Sequence, residues 1–308
     1  MIRYFRSRLK YFYRKIYRRL HYDEFKILLN QGRMQALVNA SRPIDRLEEA
    51  AFQVFSQRGE DGILQYIISK VEIPHKIFIE FGVEDYSESN TRFLLLNNNW
   101  SGLVLDGGKD NIRFIRSDFI YWKYDLTARH SFITAENIDQ LISDYTSCRD
   151  IGLLSVDVDG NDYWIWEAIT AIQPRIVVCE YNSAFGPDRN VSVPYSPDFV
   201  RRNAHYSDLY FGASLGAFCH LAERKGYDFI GTPDAGVNAF FVRKDLSGPF
   251  RKYTSEEGFR ESANRDSRDR TGRSNFLRHA ERLPVIKELP LVDIVTGETR
   301  LIKEWYSL

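Results

Sequence analysis

At 308 residues the chain is long enough to bury one substantial α/β core. Its 42 Lys and Arg balance 42 Asp and Glu, so no global field draws it to nucleic acid, and no RNA- or DNA-binding motif is present. The 3 cysteines, Cys148, Cys179 and Cys219, lie far apart in apolar surroundings, which speaks against a disulfide framework or a zinc cluster. With no apolar run of membrane-spanning length and no secretory pattern, a cytoplasmic protein is expected.

The first segment is cationic. Arg3, Arg6, Arg8, Lys10, Arg14, Lys15, Arg18 and Arg19 occur with no acidic residue between them. Ile2, Phe5, Leu9, Phe12, Ile16 and Leu20 recur at helical spacing beside that basic face. Residues 1–22 therefore suit an anionic membrane surface, at the inner face of a membrane, or else a solvated or partner-packed helix such as serves oligomer contacts. Residues 1–48 read as a basic, helical N-terminal extension, and residues 49–248 as the main α/β domain.

Ile63, Leu64, Tyr66, Ile67 and Ile68 predict a helix from Glu60 to Lys70, after the turn signal Arg58-Gly59. Lys76–Gly82 is a β-rich apolar run ending in an acid and a glycine, the mark of a strand buried on both faces. A helix follows, with Ser87, Ser89 or Asn90 as its cap. The same unit recurs in Gly102–Asp106, Leu153–Asp157 and Arg175–Glu180, each a strand ending in an acid. Strands alternating with helices predict a parallel sheet with right-handed crossovers. Glu80, Asp106, Asp157 and Glu180 then fall along the carboxyl edge of that sheet, where ligands bind.

A helix is predicted over Gly212–Lys225, followed by a hairpin of Tyr227–Gly231 and Val237–Val242. Residues 249–308 form the last segment. Residues 250–282 read as a polar loop or lid, and Val285–Leu308 as a strand-like extension around the turn Thr296-Gly297.

A mostly parallel Rossmann-like sheet closed by an antiparallel hairpin is the class I methyltransferase arrangement. The chain resembles the FkbM-type methyltransferases of bacterial surface-polysaccharide clusters over about residues 54–245. The resemblance is carried by Phe55-Ser56-Gln57-Arg58-Gly59-Glu60-Asp61-Gly62, by Glu80-Phe81-Gly82-Val83 with Ser89-Asn90-Thr91-Arg92, by Ser155-Val156-Asp157-Val158-Asp159-Gly160-Asn161-Asp162, and by Gly236–Val242. Where the family has a glycine-rich turn after its first strand, this chain has Gly82 alone.

The resemblance implies S-adenosylmethionine (SAM) as cofactor and O-methylation of a sugar or glycan hydroxyl. It places Glu80, Phe81 and Gly82 at the methionine end, Asp106 with Gly107 at the ribose, and Asp157 beside them. Asp125 would approach the adenine, or else occupy a surface turn.

Asp157, Asp159 and Asp162 crowd together, and Glu180 with Asn182 ends the neighbouring strand. Such hard oxygen ligands suit Mg²⁺, with Ca²⁺ or Mn²⁺ as alternatives, and not zinc. Asp157, Asp159 and Glu180 are the expected ligands, matching the resemblance to metal-dependent sugar O-methyltransferases. A calcium loop is set aside because Ala168 stands where its twelfth-position glutamate belongs. His205, on the loop after the fourth strand, is the expected base beside Asp159.

Three other functions compete. A dinucleotide-dependent oxidoreductase would need Gly-x-Gly-x-x-Gly after the first strand, which is missing. A metal-dependent glycosyltransferase would use Asp157-Val158-Asp159 on a nucleotide-sugar. A non-catalytic binding module would keep the fold alone.

Overall fold

The computed structural model describes residues 22–308; the basic stripe expected at residues 1–21 lies outside the described residues. Seven strands form the central sheet: β1 (Ile77–Phe81), β2 (Ser101–Asp106), β3 (Leu126–His130), β4 (Leu153–Val156), β5 (Ile176–Glu180), β7 (Tyr227–Gly231) and β8 (Asn238–Arg243). Between β5 and β7 the short β6 (Val191–Ser192) leaves this sheet, joining β9 (Pro290–Asp293) and β10 (Thr299–Leu301) in a second, antiparallel one.

The order is β3-β2-β1-β4-β5-β8-β7. The first five strands are parallel, and β8 is antiparallel to both β5 and β7. This is the α/β class expected from the sequence, closed by the expected hairpin, with β8 inserted against β5.

Strand β3 escaped the sequence reading. Its sequence Leu-Thr-Ala-Arg-His has only two buried residues, Leu126 and Ala128, because an edge strand need not be apolar throughout.

The alternation of strand side chains explains the three-layer build. Phe78, Val104, Leu153, Val178 and Phe240 face one apolar layer. Helices Tyr22–Ser41, Glu60–Lys70, Arg92–Asn98 and Lys109–Arg116 contribute to that layer. Ile79, Leu105, Leu154, Val177 and Phe241 face the other, completed by helices Ile138–Ser143, Asp162–Ala168 and Leu215–Lys225.

Helix Tyr22–Ser41 leaves Ile27, Met34, Leu37 and Val38 exposed. No described helix is long and apolar enough to cross a membrane.

The Phe55–Gly62 motif is a structural knot. Asp61 Oδ2 accepts from the backbone N–H groups of Val54, Phe55 and Ser56, each at 2.7 Å. Burial raises its pKa to about 6 against those bonds. Glu60 Oε1 accepts from Asn238 Nδ2 at 2.9 Å, tying the motif to the start of β8.

The C-terminal segment departs from expectation. Val285 and Ile286 belong to the helix His279–Ile286, and the last strand runs into the helix Ile302–Tyr306. Because β9 pairs with β6, the segment after residue 248 is not spatially separate from the main domain. Tyr306 OH donates to Phe185 O at 2.6 Å and Tyr210 OH to Pro290 O at 2.6 Å across that junction.

The order in which strands are added to the sheet reverses between β1 and β4, and there Gly82 follows β1 with φ +70°. A Cβ on Gly82 would sit 1.7 Å from the carbonyl oxygen of Asp157. Backbone meets backbone at that point, so neither partner can swing aside. Gly82→Ala is expected to cost at least about 3 kcal/mol of stability, or to prevent folding. Gly226→Ala, at φ +84° with nothing within 4 Å of its Cβ, should cost only about 1–2 kcal/mol. Urea denaturation of both variants compares them; equal losses would mean the Gly82 contact relaxes.

Candidate active site

A cleft of about 700 Å³ opens at the carboxyl edge of the sheet, over the β1/β4 reversal. Glu80, Phe81, Gly82, Asp106, Gly107, Asp157, Asp159 and Glu180 all line it. The edge gathers them because parallel strands deliver their last residues to one side.

Glu80 is 4 % exposed and holds the next helix in place. Its Oε1 accepts from Asn90 N at 2.8 Å, and its Oε2 from Thr91 N at 3.1 Å and Thr91 Oγ1 at 2.5 Å. None of Ser87, Ser89 and Asn90 is the cap of that helix: its N-cap position is Thr91, without a side-chain cap bond, and Ser89 Oγ accepts from Arg92 N at 3.3 Å from the turn before it. Burial lifts the Glu80 pKa to about 7 although these bonds oppose it. Asp106 Oδ1 accepts from Gly108 N at 2.6 Å and Asn111 Nδ2 at 2.9 Å. These bonds pin the turn after β2, and burial raises the carboxyl pKa.

The centre of the cleft is acidic. Carboxylate oxygens of Asp157, Asp159 and Glu180 lie within 4.8 Å of one another. Burial, then the Glu180 charge, raises the Asp157 pKa well above the usual carboxylate range. Burial raises Glu180 to about 8, with Arg201 opposing the rise.

Arg201 supplies the nearby positive charge. Its Nη1 donates to Asp159 Oδ1 at 3.1 Å, its Nε to Asp208 O at 2.7 Å, and its guanidinium stacks on Phe211 at 3.7 Å. Asp162 is different in kind: Oδ1 accepts from Val158 N at 2.8 Å and Oδ2 from Gly160 N at 2.9 Å, so it staples the loop and does not face a ligand.

The three carboxylates fit a hard divalent ion. Oxygens on opposite sides of an octahedral ion lie about 4.2 Å apart for Mg²⁺ and about 4.8 Å for Ca²⁺. The pKa values of Asp157 and Glu180 are raised first by burial and then by the neighbouring carboxylates, with Arg201 opposing both rises.

Two expected site residues lie elsewhere. Asp125 is exposed and precedes β3 at the amino edge, the end of the sheet away from the cleft. It occupies the surface turn that was its alternative. His205 does not line the cleft. Its Nδ1 bonds Ser207 Oγ at 2.7 Å within its own loop and its ring packs on Tyr206. Burial and the neighbouring Arg270 lower its pKa.

Other cleft residues were not among the expected site residues, although Asn161 stands in the Ser155–Asp162 motif. Ser131, Phe132 and Ile133 enter from the unrecognised β3, and Phe132 is 49 % exposed. Asn161, Arg201, Arg202 and Arg282 also line the cleft. The polar segment expected as a mobile loop or lid forms a wall through Ser262, Asn264 and Asp266. It is bonded there by Ser262 N to Ser183 Oγ at 3.0 Å and Ala263 N to Ala235 O at 2.8 Å.

No family model matches the chain, and no curated protein does. Solved structures give distant similarities. The N-terminal domain of EvdMO1 with SAH bound is 11 % identical, with a TM-score of 0.34, covering 54 % of this chain and 72 % of that one. A putative caffeoyl-CoA O-methyltransferase from Staphylococcus aureus is 15 % identical, with a TM-score of 0.40, covering 74 % and 98 %. A precorrin-6y C5,15-methyltransferase from Geobacter metallireducens GS-15 is 12 % identical, with a TM-score of 0.35, covering 63 % and 90 %.

The Glu180 carboxyl gives a pH test. Its pKa moves from 4.5 to about 8 on folding, so the folded state holds a proton that the unfolded state loses in that window. Stability from this group is therefore present at low pH and declines as pH rises from about 4.5 to 8. Glu180→Gln, measured in EDTA, should match wild type near pH 5 and melt at a higher temperature above pH 8. A melting difference that does not change with pH would contradict the shift.

Proposed function

We propose that this chain is a SAM-dependent O-methyltransferase acting on a sugar or glycan hydroxyl, with a divalent cation assisting. The observation that carries the reading is the juxtaposition, in one cleft, of the Glu80-Phe81-Gly82 turn, Asp106 at the end of β2, and the Asp157–Asp159–Glu180 cluster. SAM would supply a methyl group on a sulfonium. In this reading Asp106, with acceptor capacity beyond its two Oδ1 bonds, receives ribose hydroxyls. Phe132, in place of Asp125, offers an exposed ring on which adenine stacks. The acidic floor favours the cationic sulfonium over a neutral ligand.

Asp157, Asp159 and Glu180 would hold the metal ion, whose chemistry is to lower the pKa of the hydroxyl bound to it. Held on the ion, Glu180 would be a charged ligand beside the acceptor hydroxyl, and the hydroxyl proton would pass to solvent and not to His205, which lies outside the cleft. Arg201 orients Asp159 and limits the repulsion within the cluster.

Calorimetry tests the cofactor. Asp106→Ala should weaken SAM binding by about 1–3 kcal/mol, since hydrogen bonds to a charged acceptor are lost. Unchanged affinity removes Asp106 from the site, and no SAM binding to wild type ends the proposal.

Turnover tests the metal: EDTA should abolish it and Mg²⁺ restore it, with SAM binding nearly unaffected. Asp159 has φ +59°, a conformation Asn adopts as readily as Asp. Asp159→Asn should therefore fold normally and need much more metal. Full activity in EDTA, or identical metal curves, would leave Arg201 as the sole counter-charge.

A further inference from the structure

Two residues lining the cleft each carry a buried polar atom that lacks a partner among the described residues, and the two atoms are of opposite kind. Arg282 is 6 % exposed, and its Nε makes no hydrogen bond. Nη2 donates to the backbone carbonyl of Asn264. Among the described residues no carboxylate lies within ion-pair distance of it. Glu261, the acid that acts on it, faces His279 Nε2 at 4.0 Å, while Arg265 and Arg201 add like charge. A guanidinium cannot shed its proton, so burial without a counter-ion is costly unless a ligand supplies one.

Asn161 is 4 % exposed. Its Nδ2 donates to Ser196 O at 2.8 Å, which sets the amide orientation because a carbonyl only accepts. Asn161 Oδ1 is left as a buried acceptor without a donor. Arg201 connects the two places: it pairs with Asp159, two residues before Asn161, and its charge is felt by Arg282. Arg282 is also held from the wall, through Asn264, whose Oδ1 takes Arg58 Nη2.

We propose that this side of the cleft is an oxyanion subsite centred on Arg282, with Asn161 accepting a hydrogen bond from a hydroxyl of the same molecule. The acceptor is then an anionic polyol, a sugar bearing a phosphoryl or a carboxylate group. The acidic floor of Glu80, Asp106, Asp157 and Glu180 repels the anion, so the charged end goes to Arg282 and the hydroxyls face Glu180. The acceptor assignment rests on the methyltransferase reading; the subsite itself does not.

The test is calorimetric binding of glucose 1-phosphate, glucuronate and glucose to the protein saturated with S-adenosylhomocysteine (SAH), in EDTA. Wild type should bind at least one of the anions tenfold or more tightly than glucose, and which anion wins tells a phosphoryl from a carboxylate source. Arg282→Gln should lose that preference and keep its SAH affinity within about twofold. Arg282→Lys, which keeps the charge without the fork, should retain part of it. SAH affinity reports whether each variant is folded, and the wild-type preference stands apart from any variant. Equal affinities for the three sugars, no anion binding at millimolar concentration, or an unchanged preference in a folded Arg282→Gln would overturn the subsite. Failure of SAH to bind wild type would instead overturn the methyltransferase reading.

Discussion

One close backbone approach at the sheet edge organises the turn and the loop built on it. Gly82 leaves β1 in a left-handed conformation and rests against the carbonyl of Asp157 at the end of β4. Only a residue without Cβ allows that approach. The turn that carries Glu84 and Asp85 and the loop that carries Asp159 are thereby brought to one cleft. The same contact explains why one glycine suffices here: it is demanded by the protein's own packing at the strand reversal.

A second constraint is electrostatic. Glu80, Asp157 and Glu180 have raised pKa values with burial as the leading cause. The fold meets that cost in two ways. Glu80 receives backbone and hydroxyl donors and becomes part of a helix entry. Asp157 and Glu180 have few such donors and share the field of Arg201. Groups held in that second way are the ones left to meet a cation or a proton, whereas Glu80, Asp61 and Asp162 are largely consumed by structure.

The distal wall comes from chain remote in sequence. Residues Ser262, Asn264 and Arg282 reach the cleft because β9 pairs with β6 and the intervening segment is bonded to the loops after β5 and β7. This wall adds a buried guanidinium to a cleft whose floor carries carboxylates, so charges of both signs line it. A bound molecule with charge at one end would be oriented by that field before any specific contact forms.

The amino-acid sequence by itself determined the strand–helix alternation, the closing hairpin and the line of acids Glu80, Asp106, Asp157 and Glu180. Each depends on local periodicity and on the rule that parallel strands end on one side. Tertiary structure decided the rest. Strand β3 was invisible because an edge position asks little of its composition, and with it went Phe132. His205 was misplaced as a base because loop position does not say which way a side chain turns, and Ser207, two residues on, claims its ring. Asp125 was misplaced for a related reason: it precedes an unrecognised strand, so its end of the sheet could not be known. Arg201, Asn161 and Arg282 owe their place to contacts between segments far apart in the chain, and no spacing in a single sequence encodes which buried donor or acceptor is left without a partner.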